Sequence, residues 1–217
     1  VRALCDVARE ELSAPEPQVY ALQKIVAVAD YNMPRVRLVW SRIWDVLGDF
    51  FTEVGQHANL SVSLYAVDSL RQLSTKFLER DELLNYAFQR EFLKPFLDLM
   101  GEPLATEARE LILRCLAQMV QSRSKSIRSG WDPIFKIVEL AAADESALVV
   151  SGGYGIVEGT LSEGFDLLAE SAHLAPAMNC LCAFVSQRRD EAVAAGAARM
   201  LSVGDTSEGE EAAASCV

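Results

Sequence analysis

The feature that most constrains this chain is a hydrophobic pattern of helical period that itself recurs at a longer period. Between Pro34 and Gly55 the apolar residues Val36, Val39, Trp40, Ile43, Trp44, Leu47, Phe50, Phe51 and Val54 fall at steps of three and four. Such steps place them on one broad stripe of a helix. Pro34 suits a first helical turn, where its missing N–H is not needed, Asn32 is the expected N-cap, and Gly55 is the expected stop. The pattern repeats over Leu60–Phe77, with Leu60, Leu64, Val67, Leu70, Leu73, Ser74 and Phe77 on one face and Asn59 as its cap. The short gap between the two segments makes them antiparallel neighbours.

The same two-helix unit returns as Phe88–Met100 with Leu104–Gln121, Asp132–Ala143 with Ser146–Leu168, and His173–Val185 with Asp190–Leu201. Second helices begin near Asn59, Leu104, Ser146 and Asp190, at spacings of 45, 42 and 44 residues. Two helices per unit at a period in the low forties is the pattern of HEAT or armadillo arrays. A further pair lies at Arg2–Leu12 and Val19–Asp30, split by Pro15–Glu16–Pro17. No segment alternates with period two, so the expected fold is all-α: a HEAT/armadillo-like solenoid of stacked antiparallel helix pairs over residues 1–201.

Two segments break the pattern. Gly152, Gly153, Gly155, Gly159 and Gly164 fall within an expected helix, and each costs about 1 kcal/mol relative to alanine there. That helix is expected to be frayed, kinked or split. Residues 202–217 are acidic, small and non-periodic, and read as a disordered tail.

Charge and side-chain inventory narrow the function classes. The formal net charge is −11, partly from Asp205, Glu208, Glu210 and Glu211 in a tail without Lys or Arg. A nucleic-acid partner is disfavoured, since binding phosphates calls for a basic face and the one basic stretch is Arg123–Arg128. Five cysteines lie without CxxC spacing and read as reduced thiols of a cytoplasmic protein. Cys180 and Cys182 are two apart and point to opposite sides of a helix, so they cannot share one metal. His57 and His173 fall at helix boundaries in different repeats, where loop or capping roles fit better than catalysis. The SGGYG stretch from Ser151 lacks the Lys–Ser/Thr of a phosphate loop and the strand that precedes a dinucleotide site. No catalytic residue, metal or cofactor is expected. No apolar run reaches the ~20 residues of a spanning helix. The chain begins with Val, as expected of a piece of a longer protein.

Several stretches resemble one known family: YNMPRVRLVWSRIWDVLGDFFTEVG (31–55), NLSVSLYAVDSLRQLSTKFLERDEL (59–83), FQREFLKPFLDLM (88–100), LILRCLAQMVQSR (111–123), SGW (129–131) and NCLCAFV (179–185). They are similar to the first homology region downstream of the catalytic Sec-seven domain in large Golgi guanine nucleotide exchange factors for Arf GTPases. The resemblance covers roughly residues 19–201 and is nearer to the trans-Golgi, brefeldin-A-inhibited branch than to the cis-Golgi one. The A-x-D-S-L-R-Q-L run (66–73) and its following KFLER are the distinctive part; the glycine-rich 151–164 stretch departs from a family that has an apolar helix there.

The resemblance implies a non-catalytic regulatory domain, the exchange catalyst lying elsewhere in the protein. It implies an activated Arf-family GTPase, or another small GTPase, as partner, together with neighbouring domains of the exchange factor. The trans-Golgi membrane would be reached peripherally and indirectly. Candidate partner-facing residues are Arg35, Arg37 and Arg42 on the first helix of the second repeat and Asp68, Arg71 and Gln72 on the second. For the arginines the competing reading is a solvated face; for Asp68 and Arg71 it is an i,i+3 ion pair within one helix. Three roles stay open: a GTPase-binding scaffold, a direct lipid-binding module, and a structural spacer.

Overall fold

The computed structural model describes residues 1–35, 40–79, 88–170 and 172–203. Among them are ten α-helices and no strand: α1 (Arg2–Leu12), α2 (Tyr20–Asn32), α3 (Ser41–Gly55), α4 (Leu60–Phe77), α5 (Phe88–Met100), α6 (Thr106–Arg123), α7 (Trp131–Ala142), α8 (Ala147–Glu170), α9 (Leu174–Ser186) and α10 (Glu191–Val203).

The helices form two rows. From α2 onward each helix packs on the helix two further on: α3 on α5, α5 on α7 and α7 on α9 in one row; α2 on α4, α4 on α6, α6 on α8 and α8 on α10 in the other. This is the solenoid the sequence period predicts, each unit covering the apolar face its neighbour exposes.

Polar bonds between repeats follow the same period. Arg9 pairs with Glu53, Asp30 with Lys76, Glu79 with Arg123, and Arg90 with Asp132, at separations of 44, 46, 44 and 42 residues. Arg9 also places its guanidinium 5.4 Å from the Phe50 ring centroid, which ties α1 to α3.

Helix boundaries follow capping chemistry at some ends. Asn59 accepts from Ser61 N at 2.9 Å and starts α4 as expected. Asn32 does not cap α3. It is the last residue of α2, its side-chain amide donating to Val28 O at 2.8 Å, and Pro34 lies in a 3-10 turn over Met33–Arg35. Amide donation back into its own helix removes Asn32 as a cap for the next one. Residues 36–39, placed by the sequence in that helix, lie outside the described residues.

The core of the second and third repeats is aromatic. Phe92 stacks on Trp44 at 4.2 Å and on Phe77 at 4.1 Å, and Trp40 stacks on Trp44 at 5.6 Å; all are buried. A proline inside α5 completes the arrangement. Pro95 has no N–H to give the carbonyl four residues back, which is Glu91 O. Trp44 Nε1 donates to that carbonyl at 3.0 Å, so the indole supplies the bond that the proline withholds.

The glycine-rich stretch forms one helix with a single kink. α8 is continuous through Gly152, Gly153, Gly155 and Gly159, and leaves helical geometry at Gly164 (φ −129, ψ 21). Of the outcomes expected for this stretch, kinking is the one seen. Close packing makes one of these glycines necessary: a Cβ on Gly153 would lie 2.6 Å from Ala141 Cβ and 3.1 Å from Phe184 Cζ.

Candidate partner-binding surface

The five described residues among the six singled out by sequence do not share one face. Arg35 is exposed on the 3-10 turn and Arg42 is exposed one residue into α3. Arg37 lies outside the described residues. Asp68, Arg71 and Gln72 lie on α4, in the other row. There Arg71 Nε donates to Asp68 Oδ1 at 2.7 Å, and Gln72 Nε2 donates to Asp68 Oδ2 at 2.8 Å. The structure brings these last three together; among the described residues no hydrogen bond or ion pair joins them to Arg35 or Arg42.

The α4 cluster has its own electrostatics. Partial burial pushes the Asp68 carboxyl up. The hydrogen bonds from Arg71 and Gln72 and the Arg71 charge outweigh it and hold the group below the usual carboxylate range. Half-exposed side chains in such a pair contribute little to stability, so Arg71 can still be offered to a partner. The A-x-D-S-L-R-Q-L run thus has two faces. Ala66, Val67, Leu70 and Leu73 are buried, while Asp68, Arg71 and Gln72 form a pre-ordered polar patch.

The remaining candidates have structural positions. His57 Nδ1 accepts from Asn59 N at 3.0 Å, and His173 lies immediately before α9, 3.6 Å from the Asp132 carboxylate. Trp40 and Trp44 are core residues. Cys5, Cys115 and Cys180 are free, buried thiols; burial pushes Cys115 and Cys180 up to about 12. Among the described residues no group of His, Cys, Asp and Glu could hold a metal ion, and no helix is long and apolar enough to cross a membrane.

Sequence reasoning missed the inter-repeat ion pairs and the Pro95–Glu91–Trp44 arrangement. The first had a signal, opposite charges one repeat apart. The second had half of one, a proline in an otherwise helical pattern, with nothing to identify Trp44 as the donor.

Comparison with known proteins supplies what geometry alone does not. Residues 76–159 match the Sec7-like HDS family, described as Mon2/Sec7/BIG1-like, HDS. The chain is 48% identical over 189 residues to Brefeldin A-inhibited guanine nucleotide-exchange protein 1 of Arabidopsis thaliana, covering 86% of this chain and 11% of the relative. It is 47% identical over 191 residues to protein 4 of the same plant, covering 87% and 11%. To the human protein 1 it is 50% identical over 151 residues, covering 69% and 8%. The chain therefore spans about a tenth of the length of these relatives. It belongs to the Sec7-like HDS family and is a segment of a protein of the brefeldin A-inhibited guanine nucleotide-exchange type.

Proposed function

We propose that this chain is a non-catalytic regulatory domain of an Arf guanine nucleotide exchange factor, binding an activated Arf-family GTPase and so helping recruit the factor to trans-Golgi membranes. The observation that carries the reading is the near-50% identity to brefeldin A-inhibited exchange proteins, together with a match to a family named for the region outside the Sec7 domain. A rigid two-row array suits such work, because stacked helix pairs hold an extended surface in fixed geometry. The net charge of −11 disfavours strong charge-driven attachment to anionic lipid, which favours a protein intermediary.

Arg35, Arg37 and Arg42, with Asp68, Arg71 and Gln72, are the proposed contact residues. Arginine suits an acidic GTPase surface because its planar fork pairs bidentately with carboxylates. Liposome flotation of the chain with GTP-loaded Arf, GDP-loaded Arf or no GTPase tests the proposal. Flotation only with the GTP form is expected, and Arg35→Glu with Arg42→Glu should abolish it while leaving the helical signal unchanged. Flotation on bare liposomes would instead make the chain a lipid-binding module. Absence of flotation in all three arms would leave it as a spacer.

A further inference from the structure

The turn between α6 and α7 is basic and firmly held. Lys125 and Arg128 are exposed on either side of Ile127, which is fully buried. Neither cation has an ion-pair partner among the described residues. The hold comes from α5, where Gln89 is fully buried and spends its amide on this turn. Its Nε2 donates to Ser126 O at 2.9 Å, and its Oε1 accepts from Arg128 N at 2.8 Å and from Gly130 N at 3.4 Å. Beside it, Arg90 N donates to Ser129 Oγ at 3.2 Å. A backbone fixed in this way leaves less to be ordered when the flanking side chains bind something.

The charge continues along one edge of the array. The first turns of α3, α5 and α7 lie side by side, since Trp44 donates to Glu91 O and Arg90 pairs with Asp132. Arg42, Arg90 and Arg128 are all exposed and mark this edge with one arginine per repeat. The other ends of these helices carry Asp98, Glu102, Glu107 and Glu145 instead. In a chain of net charge −11, a basic edge opposite an acidic one is a local feature of the fold. Packed helices lie about 8–10 Å apart, and an extended chain advances about 3.3 Å per residue. Carboxylates three residues apart on an extended chain therefore match the pitch of this edge.

We propose that this edge binds an extended acidic protein segment, with Lys125 and Arg128 as its principal contacts. The planar fork of Arg128 takes one carboxylate bidentately. A second carboxylate, three residues along, reaches Arg90, whose exposed pair with Asp132 contributes little to stability and can be shared. The shape of the edge favours a peptide over lipid. A thin segment passes between Glu79, Glu91 and Asp132, whereas a flat anionic membrane would be pressed against those carboxylates. Arg42 also belongs to the proposed GTPase surface, but the inference does not rest on that reading, and its test contains no GTPase.

The test is a nuclear magnetic resonance titration of the full chain with Ac-Gly-Glu-Gly-Gly-Glu-Gly-NH2 and its lysine counterpart. The glutamate peptide is expected to shift the amides of Arg90 and of residues 124–130 in a saturable way, and the lysine peptide to leave them in place. Lys125→Gln with Arg128→Gln should weaken the glutamate peptide roughly tenfold without lowering the melting midpoint, because both side chains are exposed. Arg188→Gln with Arg189→Gln removes the same charge from the turn before α10, at the opposite edge, and should leave the affinity unchanged. If the first variant fails to fold, Arg128→Gln alone must weaken the peptide. No saturable shift, an equal shift with both peptides, or the same loss in both double variants would overturn the proposal. Shifts of the same turn by phosphatidylserine vesicles and not by the glutamate peptide would overturn it too, assigning the edge to a membrane.

Discussion

Two regions of the array solve the same packing problem with opposite materials. From α3 to α5 the rows are held apart by rings: Trp40, Trp44, Phe77 and Phe92 stack between them. From α7 to α10 helices approach through small residues: Gly153 against Ala141 and Phe184, and Gly196 against Tyr154. An aromatic layer has area to lose, whereas a glycine contact has no volume to gain. The first should fail when a side chain is removed and the second when one is added.

The largest loss should come from Phe92→Ala. The ring is buried and stacks on two others, and removing such a side chain costs about 3–5 kcal/mol. Chemical denaturation should show the midpoint falling accordingly. Next comes Gly153→Ala, where the new Cβ meets Ala141 Cβ at 2.6 Å. Overpacking of this kind costs about 1–3 kcal/mol, outweighing the gain in helix propensity. Gly155→Ala, two residues on and facing open space, should instead stabilise by up to about 1 kcal/mol. If both substitutions moved stability the same way, packing would not be what separates these glycines.

A subtler contrast tests the Trp44 indole. Trp44→Phe leaves the part-buried Glu91 carbonyl without its donor, a loss of about 1 kcal/mol. In a Pro95→Ala background the helix can supply its own N–H to Glu91. The loss on Trp44→Phe should then shrink by about 1 kcal/mol in a double-mutant cycle. Additivity would mean that the proline and the indole are unrelated.

The smallest expected effect is that of Arg71→Gln. Asp68 titrates lower in the folded chain than in the unfolded one, so its contribution is fully present above pH ~4. It is lost as the pH falls through the depressed folded value. With both side chains partly exposed, the contribution is only ~0.3 kcal/mol. The difference between Arg71→Gln and the parent should therefore be a few tenths at pH 7 and vanish in strong acid.

The fold was legible because repeat architectures write their period twice, once within each helix and once between units. Leu60–Phe77 has the boundaries the pattern predicts, since its Asn59 cap and its apolar stripe agree there. The α2–α3 junction was misread because an Asn before a Pro looks like a cap, while its amide is equally able to bond back into the preceding helix. In the glycine-rich stretch, propensity disfavours a helix but burial of Val149, Val150, Val157 and Leu161 favours one, and burial wins as far as Gly164. The surface was less legible. Spacing placed Asp68 and Arg71 within reach of one another, but partner-facing residues carry no periodic signal.

The central claim, a regulatory segment that senses an activated GTPase without performing exchange, is tested most directly by one paired measurement on the chain alone. GDP release from Arf is followed with and without excess chain, and binding to the GDP- and GTP-loaded forms is measured in the same buffer. The account predicts a release rate equal to the spontaneous one and binding confined to the GTP-loaded form. Accelerated GDP release, or equal affinity for both nucleotide states, would contradict it.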